Sequence, residues 1–137
     1  MPTLDIKSRR CAELNADLRQ FNHDLHRAEL NASDKRNQIT RKRGEISQQE
    51  NEVARWEALA LAPGSGGLLR LPGRIAVGIV GAANRAQLEA AKRRLAQLRD
   101  RDLPRLRDEL REINHRIGTI ERNIAIVREE RQSLGCA

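Results

Sequence analysis

Apolar residues recur every seven positions through the first half of the chain, and a second apolar set follows three residues after members of the first. This spacing places both sets along one face of an α-helix and is typical of a coiled-coil seam. It predicts one long helix over 3–61, which begins at the capping residue Thr3 and ends before Pro63-Gly64. The two sets are Leu4, Cys11, Leu18, Leu25, Ala32, Ile39, Ile46, Val53 and Ala60, and Leu14, Phe21, Ala28 and Trp56.

A second seam in the last third of the chain predicts a second helix over 74–134, with Gly135 as its C-terminal stop. Pro104 interrupts this seam. Leu88, Leu95 and Leu98 lie one residue out of phase with the positions that follow. Because proline removes a backbone donor and clashes with the preceding turn, we expect a kink or short break over 100–104. The later seam positions are Leu103, Leu106, Leu110, Ile113, Ile117, Ile120, Ile124, Val127 and Leu134.

The Gly/Pro-rich sequence PGSGGLLRLPG at 63–73 separates the two predicted helices. Two long helices joined by a short connection, here an apex loop over 62–73, pack side by side in opposite directions. The sequence therefore predicts one all-α domain over 1–137, a long antiparallel helical hairpin of coiled-coil type. Apolar positions match when Phe21 lies opposite Ile124 and Trp56 opposite Leu88. Because two helices alone bury a thin core, we also expect a homo-oligomer that forms a helical bundle.

Three polar residues, Lys35, Lys42 and Gln49, occupy positions of the first seam. Lysine stems can lie along an apolar seam while their charges reach water, and this is the interpretation we favour. The alternative is that these residues fix the pairing of the helices or admit another chain.

The chain has 137 residues, a net charge of +7 and only 1% aromatic residues. The excess of cations favours anionic partners, such as nucleic acid, acidic protein surfaces or anionic membrane surfaces. The pairing predicted above places two basic clusters side by side as a basic belt. A basic belt without interleaved aromatics has no device for reading bases, so any nucleic-acid binding is expected to be charge-driven and sequence-nonspecific. The belt consists of Lys35, Arg36, Arg41, Lys42, Arg43, Arg93, Arg94, Arg99 and Arg101.

The predicted apex is more apolar than a solvated helix connection requires. Three interpretations remain open: contacts within the protein or its oligomer, docking of a partner protein, and insertion into a lipid interface. The candidate apex residues are Leu68, Leu69, Leu71, Ile75, Ile79 and Val80.

The two cysteines accompany an N-terminus without the pattern of a secretory signal. This combination indicates a reducing compartment, and we expect a cytoplasmic location unless a dedicated machine exports the protein. The predicted hairpin brings Cys11 and Cys136 to its open end, where a disulfide would clamp the two helices. Because a reducing compartment disfavours that bond, we favour Cys11 as a small core residue and expect Cys136 to lie in a frayed tail.

No catalytic, metal-binding or cofactor-binding motif is recognisable, and GSGG at 64–67 lacks the Lys-Ser/Thr of a phosphate loop. We therefore expect a non-enzymatic coiled-coil interaction protein, namely a scaffold, adaptor or assembly factor that presents its apex and its basic belt. A nucleic-acid-binding protein and a membrane-interacting hairpin are the alternatives.

Overall fold

A computed structural model describes residues 2–61 and 71–136, and side chains over 5–60 and 83–136. Helix α1 spans Pro2–Leu61, helix α2 spans Leu71–Gln97, a π-helical turn spans Leu98–Asp102, and helix α3 spans Leu103–Leu134. The two described ranges contain helices and no strand. This confirms the all-α class, and the arrangement is consistent with a helical hairpin.

The second helical arm begins at Leu71, earlier than the predicted residue 74. Pro72 is the second residue of α2. Proline is well tolerated in a first turn, because the backbone N–H groups there have no partner within the helix. The predicted loop over 62–73 is therefore too long, and 62–70 lies outside the described residues.

The chain divides into two compact units, each of which pairs a segment of α1 with a later segment of the chain. The terminal unit comprises Met1–Asn37 and Asp108–Ala137, and the central unit comprises Gln38–Arg107. They are described separately below.

The core of the terminal unit consists of small α1 residues packed against branched residues of α3. Buried Ala28 packs with Ile120 and Ile124, and half-buried Phe21 and Leu25 cover them. The predicted pairing brings these same residues together. Because alanine facing isoleucine fills the space without crowding, the helices can approach closely.

The C-terminus of α3 ends in a Schellman motif. The N–H of Gly135 donates to the carbonyl of Gln132 at 3.1 Å, and the N–H of Cys136 donates to the carbonyl of Arg131 at 2.9 Å. Gly135 has φ of 70°, which glycine adopts without steric cost. The predicted stop at Gly135 is therefore confirmed.

The two cysteines form a disulfide in the terminal unit, with 5.7 Å between their Cα atoms. The expectation of an unbonded Cys11 and a frayed Cys136 is therefore wrong. The Schellman motif is the physical reason, because its hydrogen bond from Cys136 fixes the residue that the sequence suggested was loose.

A salt bridge between α1 and α3 lies beside the disulfide, since Arg10 directly precedes Cys11. Arg10 donates from Nε and Nη2 to the two carboxylate oxygens of Glu130, at 2.9 and 3.0 Å. These bonds, with a further one to Glu13, raise the pKa of Arg10 above its ordinary value. Arg10 therefore stays charged, and the two-point contact with Glu130 supports the pairing of these helix ends.

The core of the central unit contains larger side chains toward the C-terminal end of α1. Val53, Leu88 and Ala91 are buried together, and half-buried Trp56 packs against them. The indole N–H of Trp56 donates to Glu52 Oε1 at 2.8 Å, so its polar atom is satisfied.

The π-helical turn accounts for the phase change near Pro104. Core residues lie three or four positions apart up to Leu98, which is 1% exposed, and the next core residue is Leu103 at 7%. The N–H of Leu103 donates to the carbonyl of Leu98, a π-type bond that accommodates one additional residue. Pro104 has no N–H to donate to the carbonyl of Asp100, which favours the altered pattern. The backbone stays helical, so the predicted break is absent, while the kink stays a prediction.

The three polar seam residues all bond to the opposite helix of their own unit. Lys35 Nζ lies 2.6 Å from Glu109 in the terminal unit. In the central unit, Lys42 Nζ lies 3.8 Å from Asp102, and the Gln49 amide donates to the carbonyl of Ala91 at 3.1 Å. The side chains of Lys35 and Lys42 are 20% and 22% exposed, so their charges lie at the edge of the seam while they also contact acidic groups on the opposite helix. The interpretation in which the charges reach water and the alternative in which they fix the pairing both stay predictions.

Candidate anion-binding surface

The net charge of the protein resides entirely in the central unit. The segment 38–107 contains 14 Lys and Arg against seven Asp and Glu, whereas the terminal unit contains 12 of each. The terminal unit is therefore neutral, and the central unit has a charge of +7. A polyanion would be attracted to the central unit and not to the terminal unit.

Internal contacts engage four carboxylates of the central unit. Glu45 lies 3.0 Å from Lys42, which also contacts Asp102 at 3.8 Å. Glu50 accepts a hydrogen bond from Arg99 at 3.0 Å. Glu52 is the acceptor for the indole of Trp56. These contacts make several acidic groups less available to the remaining cations of the unit.

A set of exposed cations remains in the central unit without a carboxylate partner among the described residues. Arg93 makes only a long bond, 3.4 Å, from Nε to the backbone carbonyl of Glu89. Such side chains keep their charges in solvent, where they can neutralise anionic groups of another molecule. The set is Arg41, Arg43, Arg55, Arg85, Lys92, Arg93, Arg94, Arg101 and Arg107.

Two neighbouring depressions in the central unit collect part of this charge. The first is lined by Arg41, Lys42 and Arg105 together with Gln38, Glu45 and Leu106. The second lies on one helical arm and is lined by Arg93 and Arg101 with Ala96, Gln97 and Asp100. Arg101 and Arg105 are four residues apart and thus about one helical turn apart. Arg41, Arg93 and Arg101 are therefore the cations around which we build the site, because Arg105 also makes an interaction within the protein.

The predicted basic belt is only partly available as a binding surface. Lys35 is bonded to Glu109, Lys42 to Glu45, and Arg99 to Glu50. Arg36 also makes an interaction, and both Lys35 and Arg36 belong to the terminal unit. The five other residues of the belt, Arg41, Arg43, Arg93, Arg94 and Arg101, are exposed in the central unit.

The predicted basic cluster that contains Arg93, Arg94 and Arg101 also includes Arg85, Lys92, Arg105 and Arg107. Lys92 and Arg107 are exposed in the central unit, and Arg105 lines the first depression beside Lys42. Their place in the same run of basic residues as Arg101 was the available signal. Only the geometry shows which members of that run share a surface.

The predicted apex cannot be assessed from side chains. Leu68 and Leu69 lie outside the described residues. Leu71, Ile75, Ile79 and Val80 belong to α2, but their side chains are not among those described. Apex self-association, protein docking and lipid insertion therefore stay predictions.

Over the described residues, no group of three or more His, Cys, Asp or Glu is arranged to hold a metal ion. A search of the same part of the chain for a helix that is long and apolar enough to cross a membrane finds none.

Comparison with known proteins finds no matching family model, curated protein or solved structure. The functional argument therefore depends on the residues of this chain.

Proposed function

We propose that this chain is a non-enzymatic interaction protein, a scaffold or adaptor built on coiled-coil helices, whose central unit binds an anionic macromolecule. The carrying observation is the separation of charge. One unit is neutral, and the other has nine exposed cations that lack a carboxylate partner among the described residues. Charge complementarity of this kind steers association and selects partners.

The contacts of the terminal unit support a structural role for that unit. The Cys11–Cys136 disulfide and the Arg10–Glu130 salt bridge both join α1 to the C-terminal segment. A scaffold needs such rigid elements because preorganised surfaces lose less conformational entropy on binding. The proposal thus assigns different roles to the two units, with binding in the basic one.

Chromatography on immobilised heparin, a sulfated polyanion, tests the proposal. We expect the protein to be retained in low salt and to elute as the salt concentration rises. An Arg41→Gln/Arg101→Gln variant should elute at lower salt. The matched control, Arg19→Gln/Arg128→Gln, removes the same charge from exposed positions of the terminal unit and should elute nearly with the wild type. Equal shifts for both variants would mean that net charge alone determines retention, and would contradict a binding surface in the central unit.

Self-association belongs to the same proposal. Phe21, Leu25 and Ile117 are only half-buried beside the core of the terminal unit. A second copy would cover more of their apolar surface, as in a helical bundle. Sedimentation equilibrium should therefore give a mass above that of one chain, 15.5 kDa. A mass of one chain at micromolar concentration would remove the oligomer from the proposal.

A further inference from the structure

We infer that the anionic partner of the central unit is a double-stranded nucleic acid, held through its phosphate backbone without reading of sequence. This inference rests on the proposed function and names the class of partner. Three properties of the central unit carry it: the type and placement of its cations, the single large apolar side chain that is exposed among its described residues, and its single aromatic ring, which is half-buried.

The cations are of the kind that suits phosphate. Eight of the nine exposed, carboxylate-free cations are arginines and one is Lys92. The planar guanidinium group can donate two parallel hydrogen bonds to a phosphate, and it holds its charge at all relevant pH values. Arg41 and Arg105 line one depression, while Arg93 and Arg101 line the other. Cations spread over neighbouring depressions match a partner that presents phosphates at regular intervals.

An acidic protein is a poorer fit to the described surface. Specific protein interfaces depend on a few large apolar or aromatic side chains buried at their centre. Among the described residues of the central unit, Leu59 is the one large apolar side chain that is exposed, at 45%. A partner docking beside the exposed arginines would find charges but no apolar anchor. Binding to a phosphate backbone requires only neutralisation and counterion release, so it needs no such anchor.

A duplex fits better than a single strand. Proteins that hold single strands without sequence preference stack the bases on exposed aromatic rings. The chain has only two aromatic residues, Phe21 and Trp56. Phe21 packs on the core of the terminal unit. Trp56 packs beside Val53 with Arg55 5.5 Å from its ring centre. The central unit has one aromatic ring, Trp56, which is half-buried, so the successive bases of a single strand would find no row of rings to stack on. The phosphates are therefore the main part of a nucleic acid that this surface can use.

Fluorescence anisotropy with labelled DNA and RNA duplexes of mixed sequence, about 24 base pairs long and measured over a series of salt concentrations, tests the inference. Each neutralised phosphate contributes about −0.9 to the slope of log K against log salt for DNA. Three contacts, from Arg41, Arg93 and Arg101, predict a slope of about −2.7. The affinity should then fall about 40-fold between 50 and 200 mM salt.

The Arg41→Gln/Arg101→Gln variant should reduce the slope to about −0.9, because two of the three contacts are lost. The control Arg19→Gln/Arg128→Gln should keep the wild-type slope. Far-UV circular dichroism shows whether both variants remain helical. If the helical signal of the Arg41→Gln/Arg101→Gln variant is lost, the single variant Arg93→Gln, with an expected slope of about −1.8, replaces it. Scrambling the duplex sequence should leave the affinity unchanged.

The DNA and RNA duplexes distinguish the two sources of the same phosphate chemistry, and binding to either supports the inference. The inference is overturned if neither duplex binds at 50 mM salt. It is also overturned if the Arg41→Gln/Arg101→Gln variant and its control change the salt slope equally. Poly-glutamate serves as the second probe. If it binds and the duplexes do not, the inference fails while the proposed anionic partner survives. If poly-glutamate, heparin and the duplexes all fail to bind, both proposals are wrong.

Discussion

The disulfide between Cys11 and Cys136 makes a large and measurable contribution to stability. The two cysteines are 125 residues apart in sequence. Closing a loop of this length in the unfolded chain removes conformational entropy worth about 5 kcal/mol at 25 °C, and measured disulfides typically contribute 2–4 kcal/mol. We therefore expect the Cys11→Ser/Cys136→Ser variant to lose about 2–5 kcal/mol of unfolding free energy.

Urea unfolding followed by far-UV circular dichroism measures this loss. With an unfolding entropy of about 2.1 cal/mol/K per residue, a loss of 3 kcal/mol lowers the melting temperature of a 137-residue chain by about 10 °C. Adding a reductant to the wild type should reproduce the loss, because it opens the same loop. Adding it to the double variant should change nothing, which controls for other effects of the reductant.

Two results would refute this reasoning. The first is the titration of two thiols in the oxidised protein after denaturation without reductant, because bonded cysteines do not react. The second is a difference in unfolding free energy below about 0.5 kcal/mol between oxidised and reduced wild type, because that is far less than the loop-closure entropy predicts.

Three further predictions concern the helices. Gly44 is helical with open space around it, so Gly44→Ala should stabilise the protein by about 0.5–1 kcal/mol. Gly135→Ala should instead destabilise it by about 1 kcal/mol, because φ is positive at Gly135. Urea titrations of both variants check that the two changes in unfolding free energy have opposite signs. Ile124 is 5% exposed, so Ile124→Ala should lower the free energy of unfolding by about 2–4 kcal/mol. Its control Ile126→Ala, at a residue that is 60% exposed, should lower it by less than about 0.5 kcal/mol. Equal losses of stability in calorimetry would contradict the assigned core. Deleting Arg101 should lower the melting temperature less than deleting Arg122, since only the first deletion can be absorbed by converting the π-helical turn to α-helix.

The periodicity of the sequence was sufficient to predict the helices and their end at Gly135, because apolar spacing depends on the helical repeat itself. It also located the phase change near Pro104. It could not predict the form of that change, since a one-residue offset is compatible with a break, a kink or a π-helical turn. The hydrogen bond from Leu103 to Leu98 distinguishes the π turn from the break.

The site was less predictable than the fold. The sequence identified the basic run, but it could not show that Lys42 and Arg99 are bonded to carboxylates while Arg41 and Arg101 are not. Pairing of long side chains depends on distances across the helices, which charge counts do not contain. The cysteines failed for a similar reason. Spacing in the sequence did not reveal the Schellman motif that holds Cys136. The expectation of unbonded cysteines followed from the expected reducing compartment, and the disulfide contradicts that consequence.

The polar seam residues explain how a repetitive pattern specifies one pairing. Lys35 and Lys42 are seven residues apart, as are their partners Glu109 and Asp102. A slip of seven residues preserves the apolar matches. In one direction, however, it places Lys42 opposite Leu95 and Gln49 opposite Leu88. In the other direction it places Lys35 opposite Arg116. Each slip leaves a polar group without a good partner, which costs about 1–3 kcal/mol.

Replacing Lys35, Lys42 and Gln49 together by Leu should therefore keep the protein helical but weaken its preference for one pairing. The disulfide provides the assay, because Cys11 and Cys136 meet only in the native pairing. After oxidative refolding at low protein concentration, wild type should contain mainly the internal disulfide, whereas the triple variant should retain unreacted thiols or form disulfide-linked dimers. Separation without reductant distinguishes these species. A matched control, Lys92→Leu, adds a leucine at an exposed position of the central unit and should refold like wild type. If the triple variant forms the internal disulfide as completely as wild type, the apolar seam alone specifies the pairing, and the polar residues only tolerate it.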